Sequence, residues 1–339
     1  MKNSNKSTNI SKLAFDITYE SEGIEGFSIG ENTHGYLRNL DKQTILGFLN
    51  SPDTKVNVVV GINGNTHIIA HNTMANESIK INGLGDHFLA LVDVVAEASK
   101  KSQEKSSNPN TEIISHQFVK DVNKQLLSIR SEEVAIGKYR TVDFFGNPVE
   151  VHLTVPDENG RERPSKCAIL ESSKNNNIEK KMTELIDWTN NIAFKNGRDK
   201  LTDIAEFHTR FVQIHPFRDG NGRTARLLTN YLLLINDMPL VSIPTEQREE
   251  YIAYLDYAMA PDEITYRNEG PLFKEFHAKI YEEQGLRTEA NRYRPLRNLL
   301  ERNLINAEHN QIFSDILDYE SSGKFHADQV SPDTDSLEK

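Results

Sequence analysis

The chain predicts an all-α protein carrying a few small β-hairpins, on three observations. Apolar residues recur at three- and four-residue steps along most of its length, β-branched runs occur only in short pairs around turn residues, and strands never alternate with helices in the βαβ order of a parallel sheet. With 339 residues the chain can bury one large core or two modest ones.

Composition narrows the partners. Lys and Arg number 39 against 50 Asp and Glu, a net charge of −11, so the overall field favours neither nucleic acid nor anionic lipid. Cys167 is the only cysteine, which rules out an intrachain disulfide and a zinc-type cysteine cluster and suits a reducing compartment. Residues 1–11 are polar and lack the apolar core of a signal peptide, and the apolar run Tyr231 to Ile235 is far too short for a bilayer. The expectation is a cytoplasmic protein with no nucleic-acid or membrane partner.

Taken in order, residues 1–11 read as a disordered tail. Residues 12–115 read as an N-terminal helical region. It opens with a short helix over about 13–26 that holds two overlapping copies of one pattern, Thr18-x-x-x-Glu22-Gly23 and Ser21-x-x-x-Glu25-Gly26. Thr33 to Leu49 reads as helix, Val56 to Ile62 and His67 to Ala70 as a hairpin around Asn63-Gly64-Asn65, and Phe88 to Val95 as helix again. Lys100 to Asn110, polar and with Pro109, reads as a surface loop.

A central region follows over 116–283. Phe118, Val122, Leu126 and Ile129 mark a helix, and a second hairpin is expected over 142–155, turning at Gly146-Asn147-Pro148. Ile178, Met182, Leu185 and Trp188 mark another helix; Ile204, Phe207, Phe211 and Ile214 mark the next, over Leu201 to Ile214. His208 lies on that helix, and its spacing reads first as a core histidine. Ala225, Leu228, Tyr231 and Leu232 restart the helical period, and Thr245 to Met259 forms one more helix. Residues 284–320 read as C-terminal helices and 321–339 as a disordered tail.

Between the two central helices stands His215-Pro216-Phe217-Arg218-Asp219-Gly220-Asn221-Gly222-Arg223-Thr224-Ala225-Arg226. Pro216 disfavours the α conformation at His215 and so ends the first helix there. The turn then delivers the N-terminus of the second helix, whose free N–H groups and positive dipole end favour an anion. Gly220 and Gly222 let backbone approach a phosphate, and Arg223 and Arg226 share a helix face. Asp219 offers one carboxylate, which suits Mg²⁺ bound chiefly through phosphate and water oxygens. His215 has an unperturbed pKa near neutrality and fits a general base toward a hydroxyl.

The stretch fills every fixed position of the Fic family signature, His-Pro-Phe-x-Asp/Glu-Gly-Asn-Gly-Arg-x-x-Arg, and the chain is identified by it as resembling that family. Gly137-Lys138-Tyr139-Arg140 resembles the start of the Fic core. The resemblance implies a Fic-type helical core with a β-hairpin flap and a protein adenylyltransferase that moves AMP from ATP–Mg²⁺ to a Ser, Thr or Tyr hydroxyl. His215 would take the hydroxyl proton and Asp219 would hold Mg²⁺. Asn221 would orient the α-phosphate, Gly220, Gly222 and Arg223 would cradle the α/β-phosphates, and Arg226 would meet the γ-phosphate.

The same resemblance implies that hairpin 142–155 docks the protein substrate by strand addition, with the question whether the chain is its own substrate left open, and that Tyr251 borders the base. It further implies an inhibitory helix in which Ser21, Glu25 and Gly26 supply the motif and Glu25 engages Arg226. Three matters stay open at this point: removal of AMP by the same site, a nucleotide-binding role with a permanently inhibited site, and a homodimer.

Overall fold

The computed structural model describes residues 16–25, 31–32, 51, 53–60, 66–75, 77–81, 84–108, 110–127, 136–141, 154–156, 162–164, 170–171, 177–195, 197–269 and 274–305. The expected tails, the helix over Thr33 to Leu49, Gly26 and the helical stretch from Ile312 to Leu317 lie outside these residues.

The fold is mostly helical. In chain order come α1 (16–24), β1 (Glu31–Asn32), β2 (Thr54–Val60), β3 (Thr66–Asn72), β4 (Glu77–Ile81), α2 (Leu84–Ser107), α3 (His116–Leu126), β5 (Thr154–Pro156), β6 (Glu162–Pro164) and α4 (Asn177–Asn191). They are followed by α5 (Lys200–Ile214), α6 (Asn221–Leu234), α7 (Arg248–Met259), α8 (Glu263–Glu269), α9 (Lys274–Gln284) and α10 (Arg294–Arg302).

The core forms around α6, which packs against α2, α3 and α5, while α4, α7 and α10 cover the rest of α5. Leu201, Ile204, Phe207, Phe211 and Ile214 make the buried stripe of α5, as their spacing predicts. Around α6, Ala225, Leu227, Leu228, Tyr231, Leu232 and Leu233 are buried on all sides, which is the pattern of a central helix. Asp199 caps α5, its carboxylate accepting from the Thr202 N–H at 3.2 Å.

Two expectations need correction. The segment from Lys100 to Ser107 is not a loop: it is the last two turns of α2, which ends just short of Pro109. Its polar composition matches a solvated helix face, with Lys101 and Glu104 paired at 2.9 Å, because lysine, glutamate and glutamine form helices readily. The first hairpin, β2 with β3, is part of a four-stranded antiparallel sheet in the order β1-β4-β3-β2. The added strands are short, five residues and two, and so leave little periodic signal.

Hairpin 142–155 lies outside the described residues except for Thr154 and Val155. Those two belong to β5, which pairs antiparallel with β6, Val155 opposite Arg163.

Candidate functional site

Helix α5 stops at His215, which adopts the left-handed conformation with φ 49° as its C-cap, and its N–H reaches the Phe211 carbonyl at 2.9 Å. A histidine in this region is uncommon and needs outside support. Arg140 supplies it. The Arg140 guanidinium donates from Nε to the His215 carbonyl at 2.6 Å and from Nη2 to the Ile214 carbonyl at 3.1 Å and to the Glu171 carbonyl. Its own backbone N–H donates to Pro216 at 2.7 Å.

The loop is then closed from within and from behind. Asn221 accepts from the Phe217 N–H and donates to the Phe217 carbonyl, both at 2.8 Å, so its amide spans the turn. Asn123, from α3, donates to the Asp219 carbonyl at 3.0 Å and to Thr224 Oγ1 at 3.3 Å, while accepting from the Gly137 N–H at 3.0 Å. Gly220, with φ 75°, is the N-cap of α6, a conformation that side chains rarely adopt. The Asp219 carboxylate accepts from the Gly220 N–H at 2.7 Å and lies 3.6 Å from Arg223.

Burial first and the Arg140 charge second push the His215 pKa down to about 4, against the opposite pull of Glu25 and Asp219. The imidazole is therefore neutral at physiological pH and able to accept a proton.

The N-terminal helix α1 lies across the start of α6. Arg226 donates from Nε to Ser21 Oγ at 2.8 Å, and from Nη2 to the Ser21 carbonyl at 2.7 Å and to Glu25 Oε1 at 2.8 Å. Glu25 Oε1 also sits against Gly222, so close that a Cβ there would come within 2.4 Å of it. One turn earlier, Glu22 binds the other arginine, with Arg223 Nη1 at 3.1 and 3.2 Å from its two oxygens, and meets His87 Nδ1 at 2.9 Å. Glu20 accepts from both the N–H and the hydroxyl of Thr245 at 2.7 Å, and Arg248 donates to the Ile24 carbonyl at 2.7 Å.

His215, Asp219, Gly220, Asn221, Gly222, Arg223 and Arg226 are thus brought together in one loop and one helical turn, and Ser21 and Glu25 come to them from 201 to 205 residues away. Two of the expected site side chains have their polar groups engaged within the protein. Tyr251 is only 3% exposed and presents no open face for a base. Its hydroxyl lies 2.8 Å from His208 Nε2, and Arg226 sits 5.8 Å from its ring centroid, so Tyr251 supports the arginine from the core side. The Asn221 amide is taken up by Phe217 and shapes the loop.

His208 is a core histidine, as its spacing suggested. Thr229 uses its hydroxyl proton on the Ala225 carbonyl at 2.9 Å, so it accepts from His208 Nδ1 at 2.8 Å, which leaves Nε2 to accept from Tyr251. Sequence reasoning missed Asn123, His87 and the pairing of Glu22 with Arg223. It noticed Arg140 only within a four-residue phrase.

Comparison with known proteins follows the same residues. The Fic/DOC family model matches residues 113–233. Protein adenylyltransferase fic-1 of Caenorhabditis briggsae is 38% identical over 85 residues, 25% of this chain and 17% of that protein. Protein adenylyltransferase Fic of Nematostella vectensis is 30% identical over 165 residues, 45% of this chain and 37% of that protein. The chain therefore matches well under half the length of these curated relatives. A solved Fic domain containing signaling protein from Bacteroides thetaiotaomicron VPI-5482 shares the fold, with a TM-score of 0.52 at 19% identity over 95% of this chain and 91% of that one.

Proposed function

We propose, from the Fic/DOC family match over residues 113–233 and from relatives named protein adenylyltransferase, that the chain is a Fic-type protein adenylyltransferase held inactive by its own N-terminal helix. The observation that carries this reading is the Glu25 carboxylate seated against Gly222 and bonded to Arg226 at 2.8 Å, directly beside the loop of His215 and Asp219. An anion already occupies the turn where a phosphate is expected, which supports both the site and its inhibition.

In the reaction, the hydroxyl oxygen of a Ser, Thr or Tyr attacks the α-phosphorus of ATP, the bond from that phosphorus to the bridging oxygen breaks, and pyrophosphate leaves. His215, neutral at physiological pH, takes the hydroxyl proton. Asp219, its side chain 32% exposed at the head of α6, offers one hard oxygen, a donor set that fits Mg²⁺ when phosphates and water complete the shell. That ion, when bound, neutralises charge on the phosphates. Arg223 and Arg226 provide the cationic contacts along the phosphate chain.

With Arg226 held by Glu25 and Ser21, the γ-phosphate lacks its partner and meets a like charge. Glu22 adds to this, since it holds Arg223 in the same way. The protein substrate is proposed to dock on segment 142–155, as a strand along its edge.

The test is incubation of the Glu25→Gly protein with ATP labelled on the α-phosphate, in parallel with ATP labelled on the γ-phosphate. Label from the α position alone on protein supports the reading; label from the γ position, or from neither, rejects it.

A further inference from the structure

We propose that Arg140, which lies outside the motif, is a positioning residue that sets the pose of His215 for the transfer reaction. The proposal rests on the adenylyltransferase reading for its kinetic consequence, and on the geometry and charge of Arg140 for its physical one.

Helix α5 ends with carbonyl groups that have no partner within the helix. At most helix ends these meet water or a glycine turn. Here the final residue is a histidine at φ 49°, and the carbonyls of Ile214 and His215 are both collected by a single guanidinium that is 2% exposed. The same Nη2 reaches the Glu171 carbonyl, and the Glu171 N–H in turn donates to the Gln213 carbonyl at 3.0 Å, so residues 170–171 and Arg140 form one buckle around the last turn of α5. The Arg140 N–H to the Pro216 carbonyl closes it on the far side of the histidine. Four consecutive residues, Gln213 to Pro216, are therefore held by their backbones, and the direction of the His215 side chain follows from that restraint.

A planar guanidinium is the side chain that can satisfy several carbonyls at once while carrying a fixed positive charge. The charge matters because it lies beside an imidazole that must be uncharged to accept a proton. Among the described residues, the other charged groups acting on His215 are Glu25, just past the end of α1, and Asp219 from the loop, and both pull its pKa upward. Arg140 is the charged group among the described residues that opposes them.

Two variants test the proposal, Arg140→Gln and Arg140→Lys, each in the Glu25→Gly protein. Lysine keeps the charge and loses the fork; glutamine loses both. The first readout is the NMR titration of the His215 imidazole, assigned by its disappearance in His215→Ala, and it needs no activity. Its midpoint is expected to rise in Arg140→Gln and to stay nearer the parent value in Arg140→Lys. The second readout is α-phosphate labelling, where kcat is expected to fall roughly a hundredfold in both variants, as for a reacting group displaced by about 1 Å. The Kd for ATP is expected to stay within about threefold in both, because the phosphate-binding turn is held by Asn123 and Asn221.

An unmoved titration together with unchanged kcat overturns the proposal. So does loss of ATP binding in parallel with kcat, which would make Arg140 a support of the whole loop. Should the glutamine variant not fold, the lysine variant decides alone, by its kcat with Kd held. Should the Glu25→Gly parent not label any protein, the adenylyltransferase reading fails, and the titration still judges Arg140.

Discussion

The first turn of α6 has two sides, and they are held by different kinds of contact. On the core side, Asn123, Arg140 and Asn221 bond to backbone: the Asp219, His215 and Ile214 carbonyls and both polar groups of Phe217. On the side covered by α1, Ser21, Glu22 and Glu25 bond to the side-chain tips of Arg223 and Arg226. Contacts to backbone fix the shape of a loop and leave the tips of Arg223 and Arg226 out of the bonding. Contacts to side-chain tips occupy the two arginines that the proposed reaction assigns to the phosphate chain. Within the covered side the two carboxylates differ again, the Glu22 side chain being 6% exposed with two partners and the Glu25 side chain 31% exposed.

The largest effect expected from this division is on the core side. His215→Ala should lower α-phosphate labelling by about 10²–10⁴ while ATP binding, measured by calorimetry, stays near the parent value. A variant that labels at the parent rate would break the assignment of the base.

On the covered side the sign reverses. Glu25→Gly should raise labelling about a hundredfold, since the γ-phosphate regains Arg226 and the α-phosphorus can align. Glu22→Gln, which keeps the volume of the buried side chain, should raise it by less, because Arg226 remains engaged. Equal activation by the two would erase the distinction drawn between them.

Asn123→Ala should cost about 1–3 kcal/mol in urea unfolding, the expected loss when a buried amide leaves its loop partners unpaired. A loss below about 0.5 kcal/mol would place the stiffness of the loop elsewhere.

The smallest effect concerns pH. Burial pushes His208 down to about 3, and burial followed by the Arg140 charge pushes His215 down to about 4; burial also lowers His87, against its Glu22 partner. These groups are depressed in the folded state, so the unfolded chain takes protons first as pH falls below about 6.5, and stability is lost from there down toward about pH 3, the folded value of His208. Glu22, also depressed, contributes only below its ordinary value of 4.5. Urea midpoints at pH 7.5, 6 and 5 should therefore decline, and His208→Gln should flatten the decline.

Much of the site could be read from the chain because its residues are contiguous. Pro216 ends α5, the glycines turn the chain and Ala225, Leu228 and Leu232 start α6, so local rules alone bring His215, Asp219 and the two arginines to one place. The role of Tyr251 could not be read this way. Steps of three at Tyr251, Tyr254 and Tyr257 suit packing and binding alike, and only the position of α7 against α5 turns the first of them toward His208. The helical state of Lys100 to Ser107 was hidden for a related reason, since a solvated helix face and a loop share a composition.

The pattern Ser21-x-x-x-Glu25 is tied to an arginine only by the family resemblance; by itself, the sequence determined the loop between α5 and α6 and the buried stripe that orients it. Each depends on neighbours a few residues away, where propensity and sterics act directly. Only the tertiary structure decided that Glu22 and Glu25 are both engaged, one per arginine, that Asn123, from 96 residues upstream, holds the turn, and that Arg140, from 75, holds the end of α5 at His215. A hydrogen bond across that separation leaves no periodic trace, because its partners are joined by how helices pack and not by how the chain counts.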